Sequence, residues 1–157
     1  MATLLSQLEA ECNNLSQNVR FEYVGDLAEA NATILDKLST GDLPVCVVLA
    51  FDIQDVDRAN GRVNSTAEIN ALFLNSYPQA TIDKPTLEME TNVIAPMRAL
   101  AREWVNRLDE NDIIHSAGIE SVTHRNTWEP VGDAHLMGDW CVFTINFSED
   151  TTTCVDD

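Results

Sequence analysis

The chain has 157 residues, 45% of them apolar, and a formal net charge of −17 from nine basic and 26 acidic side chains. This length and apolar fraction are typical of a single globular domain that buries a full hydrophobic core. The acidic balance argues against sequence-specific binding of nucleic acid and against docking on an anionic membrane, because both need a basic surface. The same charge fits solubility, a basic partner, or a channel lumen that repels DNA.

Cysteine usage and the absence of targeting patterns predict a reducing environment. The sequence has no apolar run of 18 residues, and residues 1–11 have an acidic helical pattern instead of a secretory signal. The four cysteines, Cys12, Cys46, Cys141 and Cys154, are scattered and form no CxxC pair. We therefore expect reduced thiols, with Cys46 and Cys141 buried in apolar strands.

The N-terminal third alternates between helical and strand patterns. Residues 3–15 predict an amphipathic helix, and residues 20–24 predict a first strand. Residues 26–38 predict a second helix with Asp26 as its N-cap. Residues 44–53 (PVCVVLAFDI) predict a strand that is buried on both faces, because the run is almost continuously β-branched or aromatic.

A polar segment, residues 54–66, separates that strand from the alternating pattern of residues 67–77. It contains Asn60-Gly61, a dipeptide favoured in tight turns. We predict a long hairpin whose tip, residues 54–66, is a projecting loop. The segment does not match a calcium-binding loop that starts at Asp55. Such a loop requires a ligand at its fifth position and a glycine at its sixth, and the sequence has Ala59 and Asn60 there.

Residues 87–108 carry the longest helical pattern in the chain. The apolar side chains follow the 3.6-residue spacing of one helix face, at Ile94, Met97, Ala101, Trp104, Val105 and Leu108. Pro96 is expected within the first turns or at a kink. On the opposite face, Glu103 and Arg107 have the spacing of a surface ion pair.

Two further strands, residues 119–129 and 137–147, and an acidic tail, residues 148–157, complete the chain. The predicted order is α-β-α-β-β-α-β-β in a single domain, residues 1–157. This order favours an α+β fold, with a mostly antiparallel sheet of about five strands and helices packed on it. It does not fit a doubly wound nucleotide-binding fold, in which strands and helices alternate singly.

The sequence contains no motif that predicts catalysis, a cofactor or a metal. His115, His124 and His135 are nine and eleven residues apart, and none has a cysteine or histidine at ligand spacing. The glycines form no phosphate-binding loop, and no G-x-S-x-G motif occurs. We therefore predict no catalytic, cofactor-binding or metal-binding residues and no enzymatic activity. A catalytic site assembled from distant residues is the alternative.

The basic residues are the candidate assembly contacts. Five of the nine lie on the long helix or near the hairpin tip: Arg58, Arg62, Arg98, Arg102 and Arg107. Copies of a chain with a net charge of −17 can associate through local positive patches that face acidic ones. The alternative is that these arginines form ion pairs within one chain.

Three stretches resemble small tail and head–tail joining proteins of bacteriophages and prophages of Bacteroidetes-type hosts. They are the helix APMRALAREWVNRL, the strand that begins GIESV and the closing segment MGDWCVFTINFSEDTTTCVD. The element order is also similar to that of phage tail terminator proteins, small α/β subunits that form a ring capping the tail tube. The resemblance covers residues 45–157.

This resemblance implies a structural protein of the virion, present in the host cytoplasm during assembly and acting without cofactor or active site. It implies a homo-oligomeric ring of six copies, in contact with neighbouring tail or connector proteins, through which DNA passes. Another head- or tail-completion connector, of twelve copies, is the alternative within this class. From a different class, a small acidic regulatory or inhibitory protein that binds a basic partner fits the same charge.

Overall fold

The computed structural model describes residues 3–26, 28, 40–59, 62–76, 87–110, 119, 121–131 and 136–150. These residues form helices and one mostly antiparallel mixed sheet of six strands. The predicted α+β class is confirmed. None of the described helices combines the length and the apolar content needed to cross a membrane.

The first helix, α1 (Leu4–Asn13), begins at a capping box. The hydroxyl of Thr3 accepts a hydrogen bond from the backbone N–H of Ser6 (3.1 Å), and the Ser6 hydroxyl accepts one from the backbone N–H of Thr3 (2.8 Å). The predicted helix is confirmed, although it ends two residues before the expected boundary. The predicted helix over residues 26–38 lies almost entirely outside the described residues.

The two longest strands, of 15 residues each, are neighbours inside the sheet. Its strands are β1 (Arg20–Val24), β2 (Val45–Leu49), β3 (Ile53–Ala59), β4 (Arg62–Ser76), β5 (Val122–Val131) and β6 (Leu136–Asp150). The order across the sheet is β1-β2-β4-β6-β5, and β3 also pairs with β4. Only the β1–β2 pair is parallel among the described pairings. Strands β4 and β6 pair along their whole length, from Arg62↔Asp150 to Ser76↔Leu136.

The prediction of a loop over residues 54–66 is wrong. Strand β3 pairs with the first half of β4 from Ile53↔Ala67 to Ala59↔Arg62, with an irregularity between Asp55 and Asp57. Polar side chains do not prevent a strand at a sheet edge, because the backbone makes the hydrogen bonds and the side chains remain accessible to water. The apolar run 44–53 therefore splits into β2 and the start of β3, which gives six strands instead of about five.

The last two strands lie where the alternation predicts them, with shifted boundaries. Strand β5 begins at Val122, three residues after the predicted start, and β6 continues to Asp150. The first three residues of the predicted acidic tail, 148–150, thus belong to β6. Residues 151–157 lie outside the described residues.

The predicted long helix is helical throughout but irregular near its start. A short helix, α2 (Leu87–Met89), leads into a π-helical turn, Glu90–Ile94, and then into α3 (Ala95–Asp109). The backbone N–H of Ala95 donates to the carbonyl of Glu90, five residues earlier. Pro96 lacks a backbone N–H, so the wider turn falls where the ordinary hydrogen-bond ladder is interrupted.

The main hydrophobic core lies between one face of the sheet and helices α1 and α3. Its largest fully buried side chain is Trp104 of α3, whose ring centroid is 5.5 Å from that of Phe73 and 5.7 Å from that of Phe143. The indole N–H of Trp104 donates to the carbonyl of Leu8 (3.0 Å), which joins α3 to α1. A smaller apolar cluster occupies the other face: Val24, Val45, Val47, Leu72, Leu74 and Leu136.

The three described cysteines, Cys12, Cys46 and Cys141, are free thiols buried in this core, as the sequence predicts. Cys154 lies outside the described residues. Burial, together with a hydrogen bond that the thiol donates to Cys12, raises the pKa of the Cys46 thiol well above its ordinary value. The two thiols therefore act as small apolar side chains in the packing of α1 against β2.

Candidate functional site

A fully buried carboxylate, Asp139, identifies the candidate site. It lies on β6 between Met137 and Cys141, on the face that packs against the helices. Its relative exposure is 0%, and no other acidic side chain that the structure describes is in the buried class. A buried carboxylate costs several kcal/mol unless charged or hydrogen-bonding groups surround it. The groups around Asp139 therefore show how its burial is compensated.

Two cationic or polar partners contact the two oxygens of Asp139. Oδ2 lies 2.6 Å from Nδ1 of His124, and Oδ1 lies 3.4 Å from Nε of Arg98. His124 comes from the neighbouring strand β5, and Arg98 comes from helix α3 above the sheet. The carboxylate thus connects three elements that are separate in the sequence.

A second layer of contacts holds Arg98 in place. Its Nη1 lies 3.2 Å from Oε1 of Glu90 in the π-helical turn, and its Nη2 donates to Oδ1 of Asn126 on β5. The side-chain amide of Asn126 donates in turn to Oε2 of Glu90 (2.8 Å). The guanidinium is therefore fixed on three sides by the turn, by β5 and by β6.

The pairing of β5 with β6 brings His124, Asn126 and Cys141 close to Asp139. His124 is directly opposite Cys141, and Asn126 is directly opposite Asp139. Because side chains alternate between faces along a strand, these four residues share the face of the sheet that packs on α3. One ligand atom each of His124, Asp139 and Cys141 lies within 4.8 Å of the others. We call these three residues the His-Asp-Cys cluster.

The thiol of this cluster is not poised for nucleophilic attack. Burial, and secondarily the negative charge of Asp139, raises the pKa of Cys141 to about 12. The thiol is therefore protonated near neutral pH, whereas the thiolate is the reactive form. The nitrogen, oxygen and sulfur donors of the cluster are instead the three kinds of ligand that Zn²⁺ accepts in proteins.

Sequence spacing alone missed this cluster. No cysteine or histidine lies at ligand spacing from His124 in the sequence. Its neighbours Asp139 and Cys141 come 15 and 17 residues later and reach it across two paired strands. One signal was available in MGDWCVFTINF, where Asp139 shares the alternation phase of the buried Cys141 and Phe143. A charged residue in the buried phase of a strand indicates a polar site in the core. His115 and His135 lie outside the described residues.

Of the predicted assembly arginines on the helix, only Arg102 is well exposed. Arg98 points into the network around Asp139, and 21% of its side chain is accessible. Arg107 forms the predicted ion pair with Glu103 (3.7 Å), which also accepts hydrogen bonds from Ser16. Arg102 is exposed and lines a shallow open groove on α3 with Glu103 and Arg107. Arg98 and Arg107 thus form ion pairs within one chain, which is the alternative to a role in assembly.

The other two predicted assembly arginines lie in the hairpin. Arg58 is in β3, opposite Val63, and Arg62 begins β4, opposite Ala59. They therefore flank residues 60–61 at the far end of paired strands instead of standing in a loop.

In comparisons with known proteins, no family model matches the chain and no curated protein matches its sequence.

Proposed function

We propose that this chain is a structural subunit of a homo-oligomeric ring at a phage tail or head–tail junction, of the tail terminator class. In this proposal the protein acts by assembly and catalyses no reaction, and six copies form the ring in the virion. The observation that carries the proposal is the outer edge of strand β3, which has the features of a contact surface.

Strand β3 offers both backbone and apolar groups to a neighbour. Among the described strands it pairs with β4 alone, so its other side is an edge of the described sheet, where a strand of another chain could add to it. Ile53 and Val56 on this strand are 49% and 59% exposed. Exposed apolar side chains beside an unpaired strand edge are typical of a surface that another subunit covers.

The charge distribution supports contact between unlike surfaces of two copies. A net charge of −17 makes like surfaces repel, so contacts require basic groups of one copy opposite acidic groups of another. Arg102 is exposed on α3, and Arg58 and Arg62 lie in the hairpin. Contacts between different patches of identical chains run head to tail, and such contacts close into rings when the rotation between copies permits it.

The element order and the internal contacts also support this class. The described order is a helix, two strands, the β3–β4 hairpin, the long helix and two further strands, which has one strand more than the order in which the resemblance to tail terminators was seen. The network from Glu90 through Arg98 to Asp139 fixes the long helix on the sheet. A subunit with this internal bracing can present its hairpin as a rigid contact element.

Native mass spectrometry of edge variants tests the proposal. The wild-type chain of 17.4 kDa is expected to give one discrete multimer. Val56→Lys and Ile53→Lys place a solvated charge at the contact and are expected to give monomers that remain folded by circular dichroism. Leu87→Lys is the matched control, because Leu87 is 82% exposed and lies outside the hairpin, and we expect it to retain the multimer. A multimer that survives both edge substitutions would contradict the role of β3.

A further inference from the structure

We propose that His124, Asp139 and Cys141 bind one divalent cation of the zinc class, which ties strand β5 to strand β6 beneath helix α3. This site is independent of the proposed assembly role. It follows from the geometry of the His-Asp-Cys cluster and from the groups that surround it.

The donor set selects the class of metal. An imidazole nitrogen, a carboxylate oxygen and a thiolate sulfur together suit Zn²⁺ and its substitute Co²⁺, whereas Mg²⁺ and Ca²⁺ require oxygen ligands. The three donor atoms lie within 4.8 Å of one another. Zn–S and Zn–N lengths of about 2.3 and 2.0 Å place the ligands of one tetrahedral ion about 3.5 Å apart. The required movement is therefore about 1 Å, which side-chain rotation supplies.

The strands hold the ligands without a flexible segment. His124 and Cys141 are a directly opposed pair in the β5–β6 ladder, and Asp139 is the next residue on the same face of β6. On binding, the 2.6 Å hydrogen bond between His124 and Asp139 is exchanged for bonds to the ion. The proton between His124 Nδ1 and the carboxylate leaves that position for solvent, and so does the proton of the Cys141 thiol, because all three ligand atoms must be free of protons to bind the ion. The backbone ladder can remain unchanged.

The groups around the ligands form an outer layer of the kind found at metal sites. Arg98 approaches Oδ1 of Asp139 at 3.4 Å, on the oxygen opposite to the one that contacts His124. Glu90 and Asn126 hold Arg98 in that position. Such outer contacts orient metal-binding carboxylates, and their loss typically weakens metal binding by about 10–100-fold.

Cobalt titration of the full chain, after treatment with a chelator, tests the proposal. We expect one Co²⁺ per folded chain, with the visible bands of a tetrahedral complex and a thiolate-to-cobalt charge-transfer band in the near ultraviolet. Cys141→Ser is expected to abolish the charge-transfer band and weaken binding at least tenfold. His124→Gln is expected to weaken binding by a similar factor but to retain the charge-transfer band.

Two control variants and a measurement on the unaltered protein keep the result unambiguous. Cys46→Ala removes another buried thiol and His135→Gln another histidine, and both are expected to leave the stoichiometry and the spectrum unchanged. X-ray absorption of the zinc-loaded wild-type protein is expected to show one sulfur at about 2.3 Å, whether or not Cys141→Ser folds. Folded wild-type protein that binds no stoichiometric ion, or a metal complex without sulfur, would overturn the proposal. Unchanged binding in folded Cys141→Ser would overturn it as well.

Discussion

His124 on β5 and Asp139 on β6 are joined by a hydrogen bond of 2.6 Å, and the carboxylate is fully buried beneath helix α3. Arg98 of that helix contacts the second oxygen of the same carboxylate. One side chain thus connects two strands and the helix that covers them. The stability of this arrangement gives the first prediction.

Asp139→Ala is expected to lower the free energy of unfolding by about 3–5 kcal/mol, because it leaves Arg98 and His124 without their common partner in a mostly buried position. Urea unfolding followed by tryptophan fluorescence measures the change. Glu103→Gln is the matched control. It neutralises a carboxylate in the more exposed ion pair with Arg107, where we expect a loss below about 1 kcal/mol. Equal losses in the two variants would contradict the structural role of Asp139.

Gly138→Ala is expected to destabilise the centre of the sheet. A Cβ atom at Gly138 would lie 1.9 Å from the backbone carbonyl oxygen of Phe73, so β6 would have to move away from β4. We expect a loss of about 2–4 kcal/mol in thermal or urea unfolding, in the range of severe packing and backbone defects. Thr144→Ala at an exposed position of the same strand is the control and should cost less than about 1 kcal/mol. A Gly138→Ala protein as stable as the wild type would show that the two strands do not approach this closely.

The Cys46 thiol gives a pH dependence of stability. Burial raises its pKa well above the ordinary value of 9.0 in the folded state. Above about pH 9 the unfolded chain loses this proton while the folded chain keeps it, so stability is complete below that pH and falls as pH rises. The contribution of one such thiol is about 1.4 kcal/mol per pH unit until the folded pKa is reached.

Urea unfolding at several values between pH 8 and 10.5 measures this slope in the wild type and in Cys46→Ala. Other groups titrate in the same range, so the informative quantity is the difference between the two proteins. The variant is expected to lose stability less steeply above pH 9. Parallel curves would indicate that the Cys46 thiol ionises equally in the folded and unfolded states.

Local periodicity was sufficient to predict most of the fold. The 3.6-residue spacing that leads to Trp104 predicted the long helix, and the strand over residues 20–24 was predicted with its observed boundaries. The π-helical turn was not predicted, because it depends on how the backbone adapts around Pro96. The polarity of residues 54–66 predicts a loop, but an edge strand tolerates polar side chains at its exposed positions, so polarity does not exclude a strand there.

The site could not be predicted from spacing, because its contacts are distant in the sequence. Arg98 and Asp139 are 41 residues apart, and His124 reaches Asp139 only through the pairing of β5 with β6. A metal-ligand pattern read along one strand or helix cannot identify such a group. The prediction of assembly arginines rests on charge, and charge does not distinguish the inward-facing Arg98 from the exposed Arg102.

The most direct test of the central proposal, assembly into a ring, is the native mass of the full-length protein at several salt concentrations. We predict a closed multimer, of six copies for the tail terminator class, at physiological ionic strength. At about 1 M salt we predict that it loosens, because contacts between arginine and acidic groups are then screened. A monomer at every protein and salt concentration would contradict the proposal and would favour the acidic regulatory protein that binds a basic partner.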